Sequence, residues 1–591
     1  MIQNGQIDSF GKGFSMTDRQ TDRQTDRQTD TDSYKIRIYE LEKEIARLKS
    51  QISQQRYGLV WLDVPEGFEG DSENRIPILE EVPEKEIHNS DGKPCHILIE
   101  GDNYHALTCL NYTHRGRVDV IYIDPPYNTG SDGFTYRDRR FLTEKPDGTP
   151  VPKDHPLRHS YWLSFMSKRL ELAKNLLSDR GVIFISIDDN EQANLKLMCD
   201  RIFGEENFVG NIDWESKTKS QNTVSAFNKL QPKVEHIFLY SKNGRRRFNV
   251  NTIGQKVYDQ QDERGIYRYQ RVELMNAKGV RGRESMIFPI LGIVPPQGRQ
   301  WKLGLETITE YQERGDIFLL DGVPTLKIRP EDERTEISEP FWGFLSKEIG
   351  TAESAKKYLT SIMYPIAHGF ETVKPVELVQ RLIFHGCVNK SSTILDFFAG
   401  SGTTLHATMK LNEEDGGNRQ CILVQLDENG ICENVTYERN RRVMQGYTNS
   451  KGEAVPGLGN SLKYYRTAFV GKNPPRRALD SDRLELACKA GNLLALAENT
   501  LFERERTEAF QIFTDDADPQ NVTAIYFLED IGSLDDFQAR VEALAEQAGK
   551  VAVYIFSWDD GAVYDTMFET CRNVEIKSIP QPILEIYQTL Q

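Results

Sequence analysis

Two stretches of the chain carry residue types that do chemistry. The first, Asp124-Pro125-Pro126-Tyr127, follows the apolar run VDVIYI at 118–123. An exocyclic amine on a nucleobase is a poor nucleophile, because its lone pair is delocalised into the ring. A carboxylate and a backbone carbonyl that accept its N–H hydrogens favour a tetrahedral nitrogen and aim the lone pair at an electrophile. Asp124 offers the carboxylate, and Pro125 and Pro126 offer a rigid turn without a competing N–H. Tyr127 offers a ring on which a base extruded from a duplex stacks. An ordinary turn is the competing reading of the same four residues.

The second stretch, Asp396-Phe397-Phe398-Ala399-Gly400-Ser401-Gly402-Thr403-Thr404, stands between an apolar strand pattern and a helical one. Glycines at such a turn let backbone approach a ligand closely and leave helix N–H groups free. A phosphate loop of the Walker kind needs Lys before the Thr, and Gly402 stands there, which argues against ATP. One strand further on, VQLD ends at 427, where Gln425 or Asp427 is placed to meet ribose hydroxyls.

Elements of βα type must position these residues. HILIE, VDVIYID at 118–124, GVIFISID at 181–188, STILD and CILVQLD at 421–427 are near-continuous apolar runs, which predicts a parallel sheet covered on both faces. Between them, Trp162, Phe165, Met166, Leu170, Ala173 and Leu177 recur at helical spacing within about 160–178. From 214 to 365 the regularity fails and basic and aromatic residues collect. Residues 240–302 hold thirteen Lys or Arg against five Asp or Glu, with Tyr258, Tyr267, Tyr269 and Trp301 among them. That composition suits contact with phosphates and bases, with Arg245, Arg246, Arg247, Arg281, Arg283 and Arg299 as candidates; a solvated, irregular insertion is the alternative. Residues 475–591 have a separate small α/β rhythm and an acidic character.

The net charge of −16 excludes a protein that coats nucleic acid over its whole surface, so any contact with it is local. Eight cysteines without a C-x-x-C pair or a zinc-spaced Cys/His cluster suit a reduced cytosol and predict no metal. No long apolar stretch occurs, which predicts no membrane span and a cytoplasmic location. At the N-terminus, residues 17–30 read TDRQTDRQTDRQTD, too polar to pack. The single DNA unit ACAG, read in successive frames, encodes this repeat, which marks a tract whose slippage would switch translation on and off. Ile38, Leu41, Ile45, Leu48 and Ile52 then form a narrow apolar helical stripe, for packing on the chain or for a short coiled coil.

Taken together and in this order, D-P-P-Y before F-x-G-x-G with a long insertion between them resembles the amino-methyltransferases of DNA in their permuted, beta-type arrangement. More narrowly, GDNYHAL at 101–107, YWLSFMSKRL, EHIFLYSKN at 235–243, TVKP at 372–375, DFFAGSGTTLHA and NSLKYYRTAFV at 460–470 resemble the modification (Mod) subunit of type III restriction-modification systems. The resemblance implies an α/β, Rossmann-like core in circularly permuted motif order that binds S-adenosylmethionine. It implies an inserted target-recognition domain and a small C-terminal α/β domain. The expected divisions are a repeat-containing tail over 1–33, a helix over 34–56, a catalytic half over 57–213, target recognition over 214–365, a cofactor half over 366–474, and a C-terminal domain over 475–591 for assembly or partner contact.

By the same resemblance, Asp124, Pro125, Pro126 and Tyr127 surround the target, and Asp in the first position goes with adenine N6. Asp396, Phe398, Gly400, Ser401, Gly402 and Thr403 surround the cofactor, with Lys374 and Pro375 bordering its amino-acid end and Asp102 lining the pocket. Gln425 stands where many beta-type enzymes carry Glu, so Asp427 is the second candidate for the ribose. Double-stranded DNA as substrate, a Mod homodimer and a separate restriction (Res) subunit for cleavage are implied as well. Cytosine-N4 or RNA-base methylation is an alternative, as is a non-catalytic DNA-binding regulator, against which the intact Asp124 and Gly400 to Gly402 count.

Overall fold

The computed structural model describes residues 76–129, 156–219, 230–244, 247–277, 282–470, 480–515, 520–527, 531–556 and 567–579, with 59, 61 and 564. The TDRQ repeat and the helix expected over 34–56 lie outside them.

The apolar runs assemble into one ten-stranded sheet. Its strands are β1 (Ile76–Glu81), β2 (Cys95–Glu100), β3 (Val118–Ile123), β4 (Leu177–Ile187), β5 (Phe208–Trp214), β6 (Glu235–Ser241), β7 (Phe344–Leu345), β8 (Thr393–Asp396), β9 (Gln420–Gln425) and β10 (Ser461–Val470). Their spatial order is β1-β10-β2-β9-β8-β3-β4-β6-β5-β7. Neighbours from β10 through to β4 are parallel, and β6 runs antiparallel to both β4 and β5.

Both faces are covered, which is why the runs are continuous rather than alternating. On one face Ile97, Ile99, Ile121, Ile123, Ile183 and Ile185 share a core with Leu107 of α1 (Asn103–Thr113), Trp162 and Met166 of α2 (Pro156–Leu176) and Leu195 of α3 (Gln192–Phe203). On the other, Leu98, Val120, Tyr122, Val182 and Phe184 pack with Leu378 and Leu382 of α4 (Val376–Gly386) and Leu405 and Met409 of α5 (Thr403–Asp415). Each such side chain, fully buried, contributes roughly 1.5–3 kcal/mol of transfer free energy. Leu177, expected to extend the helix, instead opens β4 and pairs with Val118. Its position satisfies both periods, and the sheet decides between them.

The chain threads the sheet so that its late strand β8 enters beside its early strand β3, with Ile394 opposite Val120 and Leu395 opposite Ile121. Both strands run in one direction, so the loops that follow them, 124–129 and 397–402, leave the same edge side by side.

The described residues of 247–345 are not irregular. They form a four-stranded antiparallel sheet of Ile317–Leu320, Val323–Ile328, Gly265–Arg271 and Gln260–Asp262, with smaller paired strands around a separate core of Val272, Ile290, Trp301, Ile308 and Leu326. At the C-terminal end, a five-stranded sheet carries the helix Ile531–Ala545, and the helix Asp480–Glu498 buries Leu486, Ala490 and Leu493 in the α1–α3 core.

Candidate active site

The turn after β3 is held by its own side chains. Tyr127 donates its hydroxyl hydrogen to Asp124 Oδ1 at 2.6 Å, and Lys374 Nζ donates to the same oxygen at 2.8 Å and to the Tyr127 hydroxyl at 2.8 Å. Lys374 also lies 3.0 Å from Glu235 Oε2. Burial alone would lower the Lys374 pKa, but the carboxylates of Asp124 and Glu235 outweigh it and hold the ammonium above the usual lysine range. Burial pushes against the Glu235 carboxylate too, yet Lys374 beside it keeps its pKa below the usual value. Burial, reinforced by Asp124, raises the Tyr127 phenol, which therefore acts as a neutral donor.

The indole N–H of Trp162 on α2 donates to the Pro126 carbonyl at 2.7 Å, fixing that peptide. Among the described residues, the buried Pro125 carbonyl and Asp124 Oδ2 accept no hydrogen bond. Those are a backbone carbonyl and a carboxylate oxygen on neighbouring residues of one rigid turn.

The second loop is braced from beneath. Buried Asp396 accepts from the Phe398 N–H at 3.0 Å and from the Thr404 hydroxyl at 2.5 Å, and burial raises its pKa to about 7. Gly400 and Gly402 have φ of 52° and 77°, in the left-handed region that favours glycine. A Cβ on Gly402 would come within 2.2 Å of Asn440 Nδ2, whereas one on Gly400 would meet nothing closer than the Phe370 ring at 3.7 Å. The chain below Gly402 is therefore closed and the space beside Gly400 open. Gln425 accepts from the Gly400 N–H at 2.7 Å, so its side chain shapes the loop. Asp427 Oδ1 accepts from the backbone of Cys432 at 2.8 Å and of Glu433 at 3.2 Å.

Ser401 and Thr403 turn their hydroxyls to buried Arg439, whose Nη1 donates to them at 2.8 and 2.7 Å; burial lowers that guanidinium to about 10. Asp102 caps α1 through the Tyr104 N–H at 2.8 Å and receives Arg169 at 3.1 Å, while its neighbour Asn103 donates to the Phe397 carbonyl at 3.0 Å. Pro375 precedes α4 as its cap. A cavity of about 730 Å³ is walled by His368, Phe370, Asn429, Ile431, Asn434 and Tyr437; the glycine loop 396–404 does not line it, nor do Asp102, Lys374, Pro375, Gln425 or Asp427, and the loop meets it only through Phe370, 3.7 Å from where a Gly400 Cβ would stand. Its walls do not include Asp124 or Tyr127 either.

Glu235 heads the stretch EHIFLYSKN but is not among the residues expected at the site, and Arg439 lies in none of the motif stretches. Glu235 opens a strand whose remainder is apolar, and because β6 is antiparallel its start falls at the edge where β3 and β8 end. An acid at the head of an apolar run was the available signal, but strand direction is invisible in the sequence.

Of the arginines expected to meet DNA, Arg247, Arg283 and Arg299 are exposed and in no ion pair among the described residues. Arg245, Arg246 and Arg281 lie outside those residues. Much of the other basic surplus is paired internally: Arg268 with Glu333 at 2.7 Å, and Arg329 with Asp262 at 2.9 Å and Asp316 at 2.8 Å. Tyr267 and Trp301, expected among the base-facing aromatics, are buried, and the Trp301 indole donates to the Phe288 carbonyl. A small antiparallel domain needs large residues for its core, and these supply them.

A parallel sheet with a D-P-P-Y turn and a glycine loop on adjacent strand ends is the arrangement of a DNA methyltransferase, and residues 118–436 match the DNA methylase family model. The chain is 32% identical to the Mod subunit of the type III restriction-modification enzyme StyLTI of Salmonella typhimurium LT2, over 71% of this chain and 68% of that one. It is 32% identical to the EcoPI Mod subunit of Escherichia phage P1 over 66% and 67% of the two chains. With the EcoP15I Mod subunit of Escherichia coli the identity is 29% over 66% and 68%. The chain belongs to the type III Mod-subunit family of DNA methyltransferases. No helix among the described residues is long and apolar enough to cross a membrane.

Proposed function

We propose that this methyltransferase moves the methyl group of S-adenosylmethionine to N6 of adenine within a short DNA sequence. The observation that carries the reading is the pair of acceptors unused among the described residues, Asp124 Oδ2 and the Pro125 carbonyl, in a turn held by Lys374, Tyr127 and Trp162. An extruded adenine amino group has two hydrogens to give to such a pair, which leaves its lone pair pointing away from the ring plane. Tyr127 offers its ring to the base. As the amino nitrogen bonds to the methyl carbon and the carbon–sulfur bond breaks, Asp124 takes up the proton that the nitrogen sheds.

The cavity beyond Phe370 has room for an adenosyl group among aromatic, aliphatic, amide and charged walls. Bound there, S-adenosylmethionine supplies a methyl group already activated on a sulfonium sulfur. In this reading the backbone from Phe398 through Gly402 borders its methionine part, held in shape by Asp396, Gln425, Ser401 and Thr403. Asp427, with one carboxylate oxygen uncommitted among the described residues, is the better ribose partner than Gln425. Asp102 and the Lys374-Pro375 pair, expected at the cofactor, stand elsewhere: Asp102 caps α1 and meets Arg169, and Lys374 bridges Asp124, Tyr127 and Glu235. Replacing Asp124 with Ala should abolish transfer to DNA while calorimetric binding of S-adenosylhomocysteine stays within threefold of wild type; near-normal methylation by that variant would refute the role.

Residues 214–365 serve as the target-recognition domain, supported by the exposed Arg247, Arg283 and Arg299. The whole acts as modification and recognition subunit beside a separate restriction subunit, and as a homodimer to which residues 34–56 or 475–591 contribute. The TDRQ tract makes the gene phase-variable; mixed synonymous codons over residues 17–30 would remove that part of the reading.

A further inference from the structure

Immediately after Tyr127 the chain passes through Asn128, a non-glycine residue in the left-handed region with φ of 56°. Asn tolerates that backbone better than most residues, but a short turn keeps it only when the surroundings insist. The insistence comes from Glu191, in the link between β4 and α3. Its side chain is wholly buried, and its Oε1 accepts from Asn128 Nδ2 at 2.7 Å and from His159 Nδ1 at 2.6 Å. Its Oε2 accepts from Asn194 Nδ2 at 2.8 Å. Three donors from three separate segments thus converge on one buried carboxylate. Burying a carboxylate is costly unless its lone pairs are met, so the arrangement is tightly specified: shifting Asn128 would strip a hydrogen bond from a group that has no water to replace it.

The D-P-P-Y turn is therefore gripped at three points. Lys374 holds its head at Asp124, Trp162 its middle at Pro126, and Glu191 its exit at Asn128. We infer that Glu191 is a positioning residue for methyl transfer: through Asn128 it sets the direction of the peptides on either side of Tyr127, and so the aim of the Tyr127 ring and the Pro125 carbonyl at the target base. Its side chain is wholly buried and so out of reach of substrate and cofactor. The inference rests on the proposed function above and adds to it a residue that lies outside both motifs, at the end of the run ISIDDNE.

The consequence is a defect confined to the reacting geometry. A misplacement of about 1 Å costs on the order of a hundredfold in rate. In the full-length protein, Asn128→Ala and Glu191→Ala should each slow single-turnover methylation of unmodified plasmid DNA by about 10- to 100-fold. The dissociation constants for S-adenosylhomocysteine and for the DNA should stay within about threefold, since neither surface is altered. Because the two side chains act as one device, the double variant should be no slower than the slower single one, within about twofold. A general loss of structure would instead weaken binding along with rate, and would add in the double variant. If Glu191→Ala does not fold, Asn128→Ala decides alone: a single-turnover rate within twofold of wild type overturns the inference, as do multiplicative losses in the double variant. If the wild-type protein places no methyl group in DNA at all, the functional reading itself falls and the inference falls with it; wild-type methylation with an unaffected Asn128→Ala variant sinks the inference alone.

Discussion

At the scale of single residues, the site is organised around one buried cation. Lys374 serves Asp124, Tyr127 and Glu235 at once, and removing it leaves the buried Glu235 carboxylate without its cation, close to the partly exposed Asp124. Breaking such a pair from one side costs about 3–5 kcal/mol. Lys374→Met should therefore destabilise the protein strongly in urea unfolding, and adding Glu235→Gln should recover part of the loss by removing one orphaned charge; a double variant less stable than Lys374→Met would contradict this hub. Asp396 makes a second prediction. Its pKa is raised from 3.8 to about 7, so folding favours its neutral form. Its contribution is greatest in acid, declines as pH rises from about 4 to about 7, and is flat above that. Asp396→Asn should lose less stability than wild type between pH 5 and pH 7.5 in denaturant titrations; equal slopes would show that Asp396 ionises normally. Asp124 to Tyr127 and the glycine loop were legible because their chemistry depends on neighbours in sequence. Glu235, Lys374 as a bridge, and Arg439 were not, because each acts on residues far away along the chain.

At the scale of elements, adjacency of β3 and β8 turns two distant stretches into neighbours. The strands themselves were readable, since burial on both faces leaves continuous apolar runs in HILIE, VDVIYI and CILVQ. Their order was not, because strand pairing is written in three-dimensional complementarity rather than in period. The region 247–345 shows the opposite failure: short antiparallel strands of three to seven residues carry too little pattern to stand out, and a real domain reads as irregular chain. Helix α2 contributes more than a cover to the sheet, since Trp162 reaches across to the Pro126 carbonyl. Trp162→Phe keeps the ring in the core and removes only the N–H. It should cost about 1–3 kcal/mol in stability, as an acceptor loses its donor. Turnover should fall more than cofactor affinity does; a variant with wild-type turnover would show that this peptide does not need fixing.

At the scale of the whole molecule, an acidic chain that acts on DNA, a polyanion, needs a restricted basic surface to meet it. Arg247, Arg283 and Arg299 are exposed and uncommitted among the described residues, whereas Arg268 and Arg329 are consumed by internal pairs. Replacing Arg283 and Arg299 with Gln should weaken DNA binding and reduce the slope of log affinity against log salt by about one per lost phosphate contact. The same change at Arg268 should instead lower stability. Exchanging residues 214–365 with those of a relative should move the methylated sequence, and an unchanged sequence would take recognition away from that region. What decides the chemistry of the whole molecule is which atom receives the methyl group. Plasmid DNA from cells carrying the gene in frame, digested to nucleosides and separated by mass spectrometry, should contain N6-methyladenine that disappears with Asp124→Ala; N4-methylcytosine in its place, or N6-methyladenine that persists in the variant, would contradict it.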